Sequence, residues 1–281
     1  MSSNKKFSKN LCIYHGNCPD GFGAAWAVYH ALGDDVEFFK GIHQQPAPDV
    51  TGLDVYLVDF SYKKKVLEEM LKQAASITIL DHHISAEQDL SDLLSSGKVG
   101  GLFDMNKSGA MLAWEWFHPD TPAPNLIRHI QDRDLWQFKL DGTRQITMGL
   151  ASYPYDFTLW DKLMANTPDE LELLRRDGEA LERKLHIDIQ VLIDTGVRRM
   201  VIGGHDVPVL NAPAAYVSEA GNILAKGEPF AACYWDHAGG RSFSLRASET
   251  GVDVSEVAKQ YGGGGHIKAS GFTVDIGWEG E

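Results

Sequence analysis

Short apolar runs alternate with helical patterns through the first hundred residues of the chain. Residues 11–14, 55–58 and 77–80 each form an apolar run of the length expected for a buried strand. Residues 22–32 are helical in character, and residues 63–75 place their apolar side chains at helical spacing. Strands that alternate with helices predict right-handed crossovers and a parallel sheet.

A long helix is predicted after this region. Thr167 can cap it, Pro168 stands at its first position and Glu170 at its third, as in a capping box. Strands are then predicted at residues 200–202, 207–210, 230–234 and 242–245, with helices at residues 218–225 and 254–260. The predicted fold class is α/β, with a parallel-sheet domain at residues 1–165, a linker helix at 166–196 and a smaller α/β domain at 197–281.

The amino-acid composition limits the classes of protein to which this chain can belong. Its 281 residues are 43% hydrophobic and 23% charged, which is enough for two domains with their own cores. The net charge of −13 argues against a broad basic surface that coats long nucleic acid. The start of the chain lacks a signal-peptide core, and no run reaches the ~20 apolar residues of a membrane span, so we expect a cytoplasmic protein. The odd number of cysteines, Cys12, Cys18 and Cys233, argues against a disulfide framework.

Residues that commonly bind metal ions follow each of the three predicted strands of the first domain. The carboxyl ends of neighbouring parallel strands meet at one edge of a sheet, so side chains that follow these strands should lie close together. Carboxylates and imidazoles are ligands for Mn²⁺ and similar ions. The set expected for a two-metal site is His15, Asp20, Asp59, His82 and one of Asp132 or Asp134.

The same residues predict a chemistry. Asp59 follows the central strand of the three and is the expected bridge between two metal ions, which would activate water for attack on a phosphate without a protein nucleophile. His83 is expected to orient a ligand or to protonate the leaving oxygen. Asp81 is expected to hold a ring nitrogen or the backbone of the turn.

A glycine run near the end of the chain predicts a second site. Four glycines permit positive φ angles and let main-chain N–H groups approach an anion closely. Arg246, on a predicted strand, could add a bidentate phosphate contact. The residues expected to bind substrate are Arg246, Gly263, Gly264, Gly265 and His266.

Taken together, these motifs resemble the DHH phosphoesterase superfamily, in the branch with a DHHA1 domain. The triplet Asp81-His82-His83 matches the motif that names the superfamily, and residues 15–20 and 58–60 match its first and second motifs. Residues 132–134 match its fourth motif, and residues 262–266 with 269–271 match the DHHA1 signature. The resemblance covers nearly the whole chain.

The resemblance implies a metal-dependent phosphodiesterase or exonuclease with two Mn²⁺ ions, for which Mg²⁺ or Co²⁺ could substitute. It assigns the metal role to His15, Asp20, Asp59, His82 and Asp132. It assigns a catalytic role to His83, and places a terminal phosphate or nucleotide on the second domain. Members include RecJ-like exonucleases, nanoRNases and cyclic dinucleotide phosphodiesterases. The acidic charge favours a short oligonucleotide or dinucleotide as substrate; a cyclic dinucleotide phosphodiesterase and a nucleotide-binding sensor with weak catalysis are the alternatives.

Two positions depart from the pattern or leave it open. Phe22 stands where the commoner first motif has a second aspartate, so Asn17, water or, less in keeping with Mn²⁺ chemistry, Cys18 could complete the metal site. In the fourth motif we expect Asp132 rather than Asp134 to reach the metals. Trp136 and Phe138, close by, could stack a base.

Overall fold

A computed structural model describes residues 9–16, 18–43, 45–165 and 167–281. The chain divides into two compact units, Met1–Glu182 and Arg183–Glu281, and each contains its own sheet. Asn17, which the sequence analysis considered as a metal ligand, lies outside the residues that the structure describes. Among the described residues, no helix is long and apolar enough to cross a membrane.

The first unit is built on a five-stranded sheet. Its strands lie in the order β2-β1-β3-β4-β5, and all neighbours are parallel. The strands are β1 (Asn10–His15), β2 (Val36–Gly41), β3 (Asp54–Val58), β4 (Ser76–Asp81) and β5 (Gly100–Phe103). The predicted parallel sheet is confirmed.

Two hydrophobic cores cover the two faces of this sheet. Cys12 and Tyr14 of β1 belong to one core, and Leu11 and Ile13 belong to the other, because successive side chains of a strand point to opposite faces. Burial on both faces explains why the strands are continuously apolar. The helices of the unit are α1 (Pro19–Leu32), α2 (Lys64–Met70), α3 (Ile84–Ser95), α4 (Gly109–Phe117), α5 (Asn125–Asp134), α6 (Thr143–Leu150) and α7 (Phe157–Leu163).

The long helix α8 (Pro168–Gly196) begins where the capping pattern predicts. The Glu170 carboxylate accepts hydrogen bonds from the backbone N–H and the hydroxyl of Thr167. The division between the two compact units falls between Glu182 and Arg183, inside this helix.

The second unit contains a six-stranded sheet in the order β10-β11-β9-β8-β7-β6. Its neighbours are antiparallel except β7 and β8, which are parallel. The strands are β6 (Arg198–Ile202), β7 (His205–Asn211), β8 (Ala231–His237), β9 (Gly240–Arg246), β10 (Gly264–His266) and β11 (Ala269–Val274), and the helices are α9 (Val217–Leu224) and α10 (Val254–Lys259). The α/β class is confirmed. The last two residues of the glycine run, Gly264 and Gly265, belong to β10.

Candidate metal centre

The three sequence motifs meet at one edge of the first sheet. His15 ends β1, Asp59 follows β3, and His82 follows β4. These strands are neighbours in the order β1-β3-β4 and run parallel, so their carboxyl ends lie side by side. The convergence expected from the sequence is present in the structure.

Asp59 lies at the centre of this cluster and uses both carboxylate oxygens. Its Oδ1 is 3.1 Å from His82 Nε2, and its Oδ2 is 3.5 Å from His15 Nδ1. Oδ2 also accepts a hydrogen bond from Cys18 Sγ at 3.3 Å. The two oxygens thus contact different partners, which is the arrangement a carboxylate needs to bridge two cations.

The backbone of Asp59 is held in an unusual conformation. Its φ is +53°, in the left-handed region that non-glycine residues rarely adopt. Its N–H donates to the Leu80 carbonyl at 2.9 Å, and a Cβ added to Gly109 would lie 2.3 Å from Asp59 Cβ. Strained backbone of this kind concentrates at functional sites, where the surrounding structure enforces it. Gly109 therefore allows α4 to pack against the aspartate.

A second set of donors surrounds the His82 ring. His82 Nε2 is 3.7 Å from Asp20 Oδ2 and 3.6 Å from Asp134 Oδ2, in addition to its contact with Asp59. The Asp20 carboxylate is buried and accepts the backbone N–H groups of Gly109 at 2.7 Å and Ala110 at 3.1 Å. The amino-terminal end of α4 therefore fixes its position.

Asp81 orients the two neighbouring histidines, and its carboxylate lies within the same cluster of possible ligands as Asp59, His82 and His83. Its Oδ1 is 2.6 Å from His83 Nδ1 and accepts the His82 N–H at 2.7 Å, while its Oδ2 accepts the Ser61 hydroxyl at 2.7 Å. Asp81 thus holds both a ring nitrogen and the turn backbone. With Nδ1 engaged by Asp81, His83 presents Nε2 as the nitrogen for chemistry.

The two aspartates of the fourth motif have different surroundings. Asp132 accepts three hydrogen bonds, from Lys139 N at 2.8 Å, Leu140 N at 3.0 Å and Thr143 Oγ1 at 2.6 Å. These bonds hold the turn that connects α5 to α6. Asp134, the last residue of α5, joins the cluster instead. The sequence carried a signal for this, because Asp134, although exposed, lies at helical spacing from the buried Ile127 and Ile130 and so on the same side of α5.

Phe22 and Cys18 also differ in their surroundings. The Phe22 ring packs in the core, with ring centroids 4.8 Å from Trp160 and 4.9 Å from Phe157. Cys18 Sγ, by contrast, lies 3.3 Å from His15 Nδ1 and caps the start of α1 by accepting the Gly21 N–H at 3.2 Å. Phe22, which occupies the position of the missing aspartate, therefore belongs to the hydrophobic core. Cys18, in contrast, belongs to the cluster around Asp59.

Burial and crowding shift the pKa values of these groups in opposite directions. Burial and the charges of Asp59 and Asp134 raise the pKa of Asp20. Burial also opposes charge on Asp59, yet hydrogen bonds to His15 and His82 lower its pKa well below the usual value. Burial opposes protonation of His82, but Asp59 and the neighbouring carboxylates raise its pKa to about 10. Without a cation, a proton on His82 balances the carboxylate charge.

The donor sets suit divalent cations. His15, Cys18 and Asp59 offer ligand atoms that all lie within 4.8 Å of one another, and so do Asp20, His82 and Asp134. Imidazole and carboxylate ligands fit Mn²⁺ and similar ions. The residues present can therefore hold two ions with Asp59 between them.

The residues expected to bind substrate in the second unit come together on its sheet. His266 of β10 pairs with Ala269 of β11, which pairs with Arg246 of β9, so the three occupy one row across neighbouring strands. The Arg246 guanidinium donates to Ser244 Oγ and Ser218 Oγ, both at 2.8 Å. The glycines form the approach to β10 and its first two residues, and Gly265 has a φ of +138°.

A group of aromatic and cationic side chains lies close to Asp134. The Arg133 guanidinium is 4.3 Å from the Trp136 ring centroid, and the Arg144 guanidinium is 3.6 Å from that of Phe138. Trp136 and Phe138 have φ angles of +56° and +51°, so the turn that carries them is conformationally strained. We call Arg133, Trp136, Phe138 and Arg144 the arginine–aromatic cluster. The sequence analysis considered the two aromatic residues and missed Arg144.

Comparisons with known proteins agree with this architecture. No family model matches the chain. An uncharacterised protein of Acanthamoeba polyphaga mimivirus is 30% identical over 295 residues, which cover 96% of this chain and 69% of that protein. Oligoribonuclease NrnB of Bacillus subtilis is 25% identical over 309 residues, which cover 93% and 72%. A solved DHH domain, from a member of the s1p family of ribosomal proteins, aligns with a TM-score of 0.63 at 14% identity, over 95% of this chain and 83% of that one.

The chain belongs to the DHH phosphoesterase superfamily. The Asp81-His82-His83 triplet that names the superfamily is part of this cluster: the His82 ring contacts Asp59, and Asp81 orients the His83 ring. The fold predicted from the resemblance, a parallel-sheet domain followed by a smaller α/β domain, is confirmed.

Proposed function

We propose that this DHH protein is a metal-dependent phosphodiesterase that removes nucleotides from an end of short oligonucleotides. One observation carries the proposal: ligand atoms of His15, Asp59 and His82 converge at the ends of three neighbouring parallel strands. The relation to a protein named as an oligoribonuclease supports the choice of substrate. The net charge of −13 favours short substrates over long strands.

Two divalent cations, with Mn²⁺ as the expected ion, would be held in two positions that share Asp59. One position would use His15 and Asp59, and the other would use Asp20, His82 and Asp134 together with Asp59, which contacts His82. When bound, such ions polarise the phosphate and make a bound water a better nucleophile. Asp59 would hold both ions in a defined place, because its unusual backbone conformation and its closeness to Gly109 allow its side chain little freedom.

His83 is the proposed proton donor to the leaving oxygen. Asp81 holds its Nδ1 at 2.6 Å, so the ring is oriented and acts through Nε2. Ser61 in turn holds Asp81, which keeps the carboxylate from rotating away. Asp81 is therefore a positioning residue in this mechanism.

The arginine–aromatic cluster is the proposed contact for the nucleotide next to the scissile bond. Aromatic rings stack on any base, and guanidinium groups bind phosphate. Trp136 stands two residues after Asp134 in the chain, which keeps such a contact near the metals. In the second unit, Arg246, Gly263, Gly264, Gly265 and His266 are proposed to hold the terminal phosphate or nucleotide.

The test is a length panel. Purified protein with Mn²⁺ would be incubated with end-labelled RNA and DNA, from dinucleotides to oligomers longer than the roughly 4–16 nucleotides of a single-strand binding site. Cyclic dinucleotides would be included. We expect stepwise shortening that is fastest for the shortest linear oligomers. Turnover of cyclic dinucleotides alone would instead favour a cyclic dinucleotide phosphodiesterase, and no turnover with any divalent ion would contradict both functions.

A further inference from the structure

The two proposed metal positions differ in their donor atoms, and Cys18 makes the difference. Its Sγ is 3.3 Å from His15 Nδ1 and 3.3 Å from Asp59 Oδ2, and the last two atoms are 3.5 Å apart. The set of Asp20, His82 and Asp134 contains only nitrogen and oxygen. A sulfur atom thus stands in one donor set and is absent from the other.

We propose that Cys18 is a thiolate ligand of the position formed with His15 and Asp59, and that this position selects a sulfur-binding ion such as Zn²⁺, Co²⁺ or Fe²⁺ over Mn²⁺ or Mg²⁺. The proposal rests on the metal-dependent function proposed above and assigns different ions to its two positions. Soft thiolate ligands favour the first group of ions, and carboxylates with water favour the second.

The separations of the three donors fit a single cation. Ligand distances of about 2.0 Å for nitrogen and oxygen and about 2.3 Å for sulfur, at tetrahedral angles, place the donor atoms roughly 3.3–3.5 Å apart. The three separations in the structure are 3.3, 3.3 and 3.5 Å. The triangle of His15, Cys18 and Asp59 therefore needs little movement to accept such an ion.

Burial and the charges of Asp59 and Asp20 raise the pKa of the Cys18 thiol, and the backbone around Cys18 partly opposes them. Cys18 occupies the cap position of α1, and its Sγ accepts the Gly21 N–H at 3.2 Å. A helix amino terminus stabilises negative charge on a cysteine. A coordinating cation deprotonates a thiol outright, so the neutral thiol of the metal-free cluster is compatible with the proposal.

Asp59 connects the two unlike positions. Its Oδ2 contacts the cysteine and His15, whereas its Oδ1 contacts His82. One oxygen therefore belongs to the sulfur-containing position and the other to the nitrogen and oxygen position. The expected result is a mixed dinuclear centre.

A plainer role for Cys18 is to cap the helix alone. Ser is among the strongest capping residues, so Cys18→Ser keeps the cap and removes the thiolate. Cys18→Asp also keeps a cap and supplies a hard oxygen ligand. Cys233→Ala is the matched control, because Cys233 is buried in the second unit.

The first measurement is cobalt spectroscopy of the full-length protein after removal of metals. We expect a sulfur-to-cobalt charge-transfer band in the near ultraviolet that is present in the wild type and Cys233→Ala and absent in Cys18→Ser. Circular dichroism and a melting curve would verify that Cys18→Ser is folded. No such band in the wild type, or a band that persists in folded Cys18→Ser, would overturn the proposal.

The second measurement is metal affinity. Loss of a residue that only hydrogen-bonds to a metal ligand weakens metal binding by about 10–100-fold. Loss of a ligand should have at least this effect, so we expect Cys18→Ser to weaken Zn²⁺ binding by at least about 10–100-fold. Cys18→Asp should shift the preference toward Mn²⁺. An unchanged Zn²⁺ affinity in both variants would contradict a thiolate ligand.

Hydrolysis of the oligonucleotide panel, assayed on the same samples, separates this proposal from the proposed function. Hydrolysis by a wild type without a cobalt–sulfur band would overturn the thiolate ligand and leave the phosphodiesterase. A Cys18-dependent band in a protein that hydrolyses none of the substrates would support the ligand and contradict the proposed function.

Discussion

In the first unit the proposed site residues leave the ends of parallel strands, whereas in the second unit they lie along paired strands of a mostly antiparallel sheet. His15, Asp59 and His82 converge because strand order and direction bring three chain segments to one edge. Arg246 and His266 share a row because β9, β11 and β10 pair in register. The topology of the first unit thus builds a largely buried cluster of possible metal ligands, whereas that of the second unit builds a half-buried row of separate side chains. We expect loss of a residue from the cluster to abolish chemistry, and loss of a residue from the row to weaken binding.

The largest expected effect is that of Asp59→Asn. The substitution removes the charge shared by both proposed metal positions and keeps the size of the side chain. Turnover should fall by more than about 10²–10³-fold, the range for loss of one preorganised electrostatic group. Asp54→Asn is the matched control, because Asp54 stands at the opposite end of the same strand. Equal activities of the two variants would contradict the assignment of this cluster as the active site.

The next prediction separates Asp134 from Asp132. Asp134→Asn should lose most metal-dependent turnover and keep its stability. Asp132→Ala should lower the free energy of unfolding by about 1–3 kcal/mol, because it leaves three donors of the following turn without their charged acceptor. Urea denaturation in chelator and hydrolysis in excess Mn²⁺ measure the two effects. A stable, inactive Asp132→Ala would restore Asp132 as the ligand.

These two aspartates also show what a sequence can predict. His15, Asp59 and His82 could be predicted from the sequence, because residues that end or follow neighbouring parallel strands lie at the same edge of the sheet. Asp132 and Asp134 are two residues apart on one helix, about 200° around its axis, so packing decides which one faces the cluster. The apolar stripe of Ile127 and Ile130 indicates Asp134. The proposed role of Cys18 depends on interatomic distances of 3.3–3.5 Å to His15 and Asp59, which the spacing of residues along the chain does not give.

The row in the second unit is tested by Arg246→Ala. Loss of a charge-assisted hydrogen bond costs about 1.5–3 kcal/mol, which corresponds to a rise in KM of about 10–150-fold for a dinucleotide. KM for a generic ester such as bis-p-nitrophenyl phosphate should stay unchanged, since that ester has no distal phosphate. Arg199→Ala is the control, because Arg199 is engaged on the opposite edge strand β6 by Asp206 and Glu228. Equal effects of Arg246→Ala on the two substrates would contradict the distal contact.

A smaller effect on binding is expected from Trp136→Ala. Stacking of one base is worth about 1–3 kcal/mol, so KM for oligonucleotides should rise by about 5–150-fold, with the lower part of the range expected because Phe138 remains. Trp116→Ala is the control, because Trp116 is exposed on α4. A fall in kcat as well as a rise in KM would place the arginine–aromatic cluster among the contacts that form in the transition state. An unchanged KM would assign Trp136 a purely structural role.

The smallest effect concerns protons. The neighbouring carboxylates raise the pKa of His82 to about 10 despite its burial, so the metal-free protein carries a proton there at neutral pH. A cation must displace that proton, and its affinity should fall about tenfold for each unit by which the pH is lowered, as expected for one proton released. Calorimetric titrations with Mn²⁺ in buffers of different ionisation enthalpy measure the release. In the metal-free protein the stabilisation from protonated His82 is complete below about pH 6.5 and is lost as the pH rises through about 10. A metal affinity that does not change with pH would show that His82 is not a metal ligand.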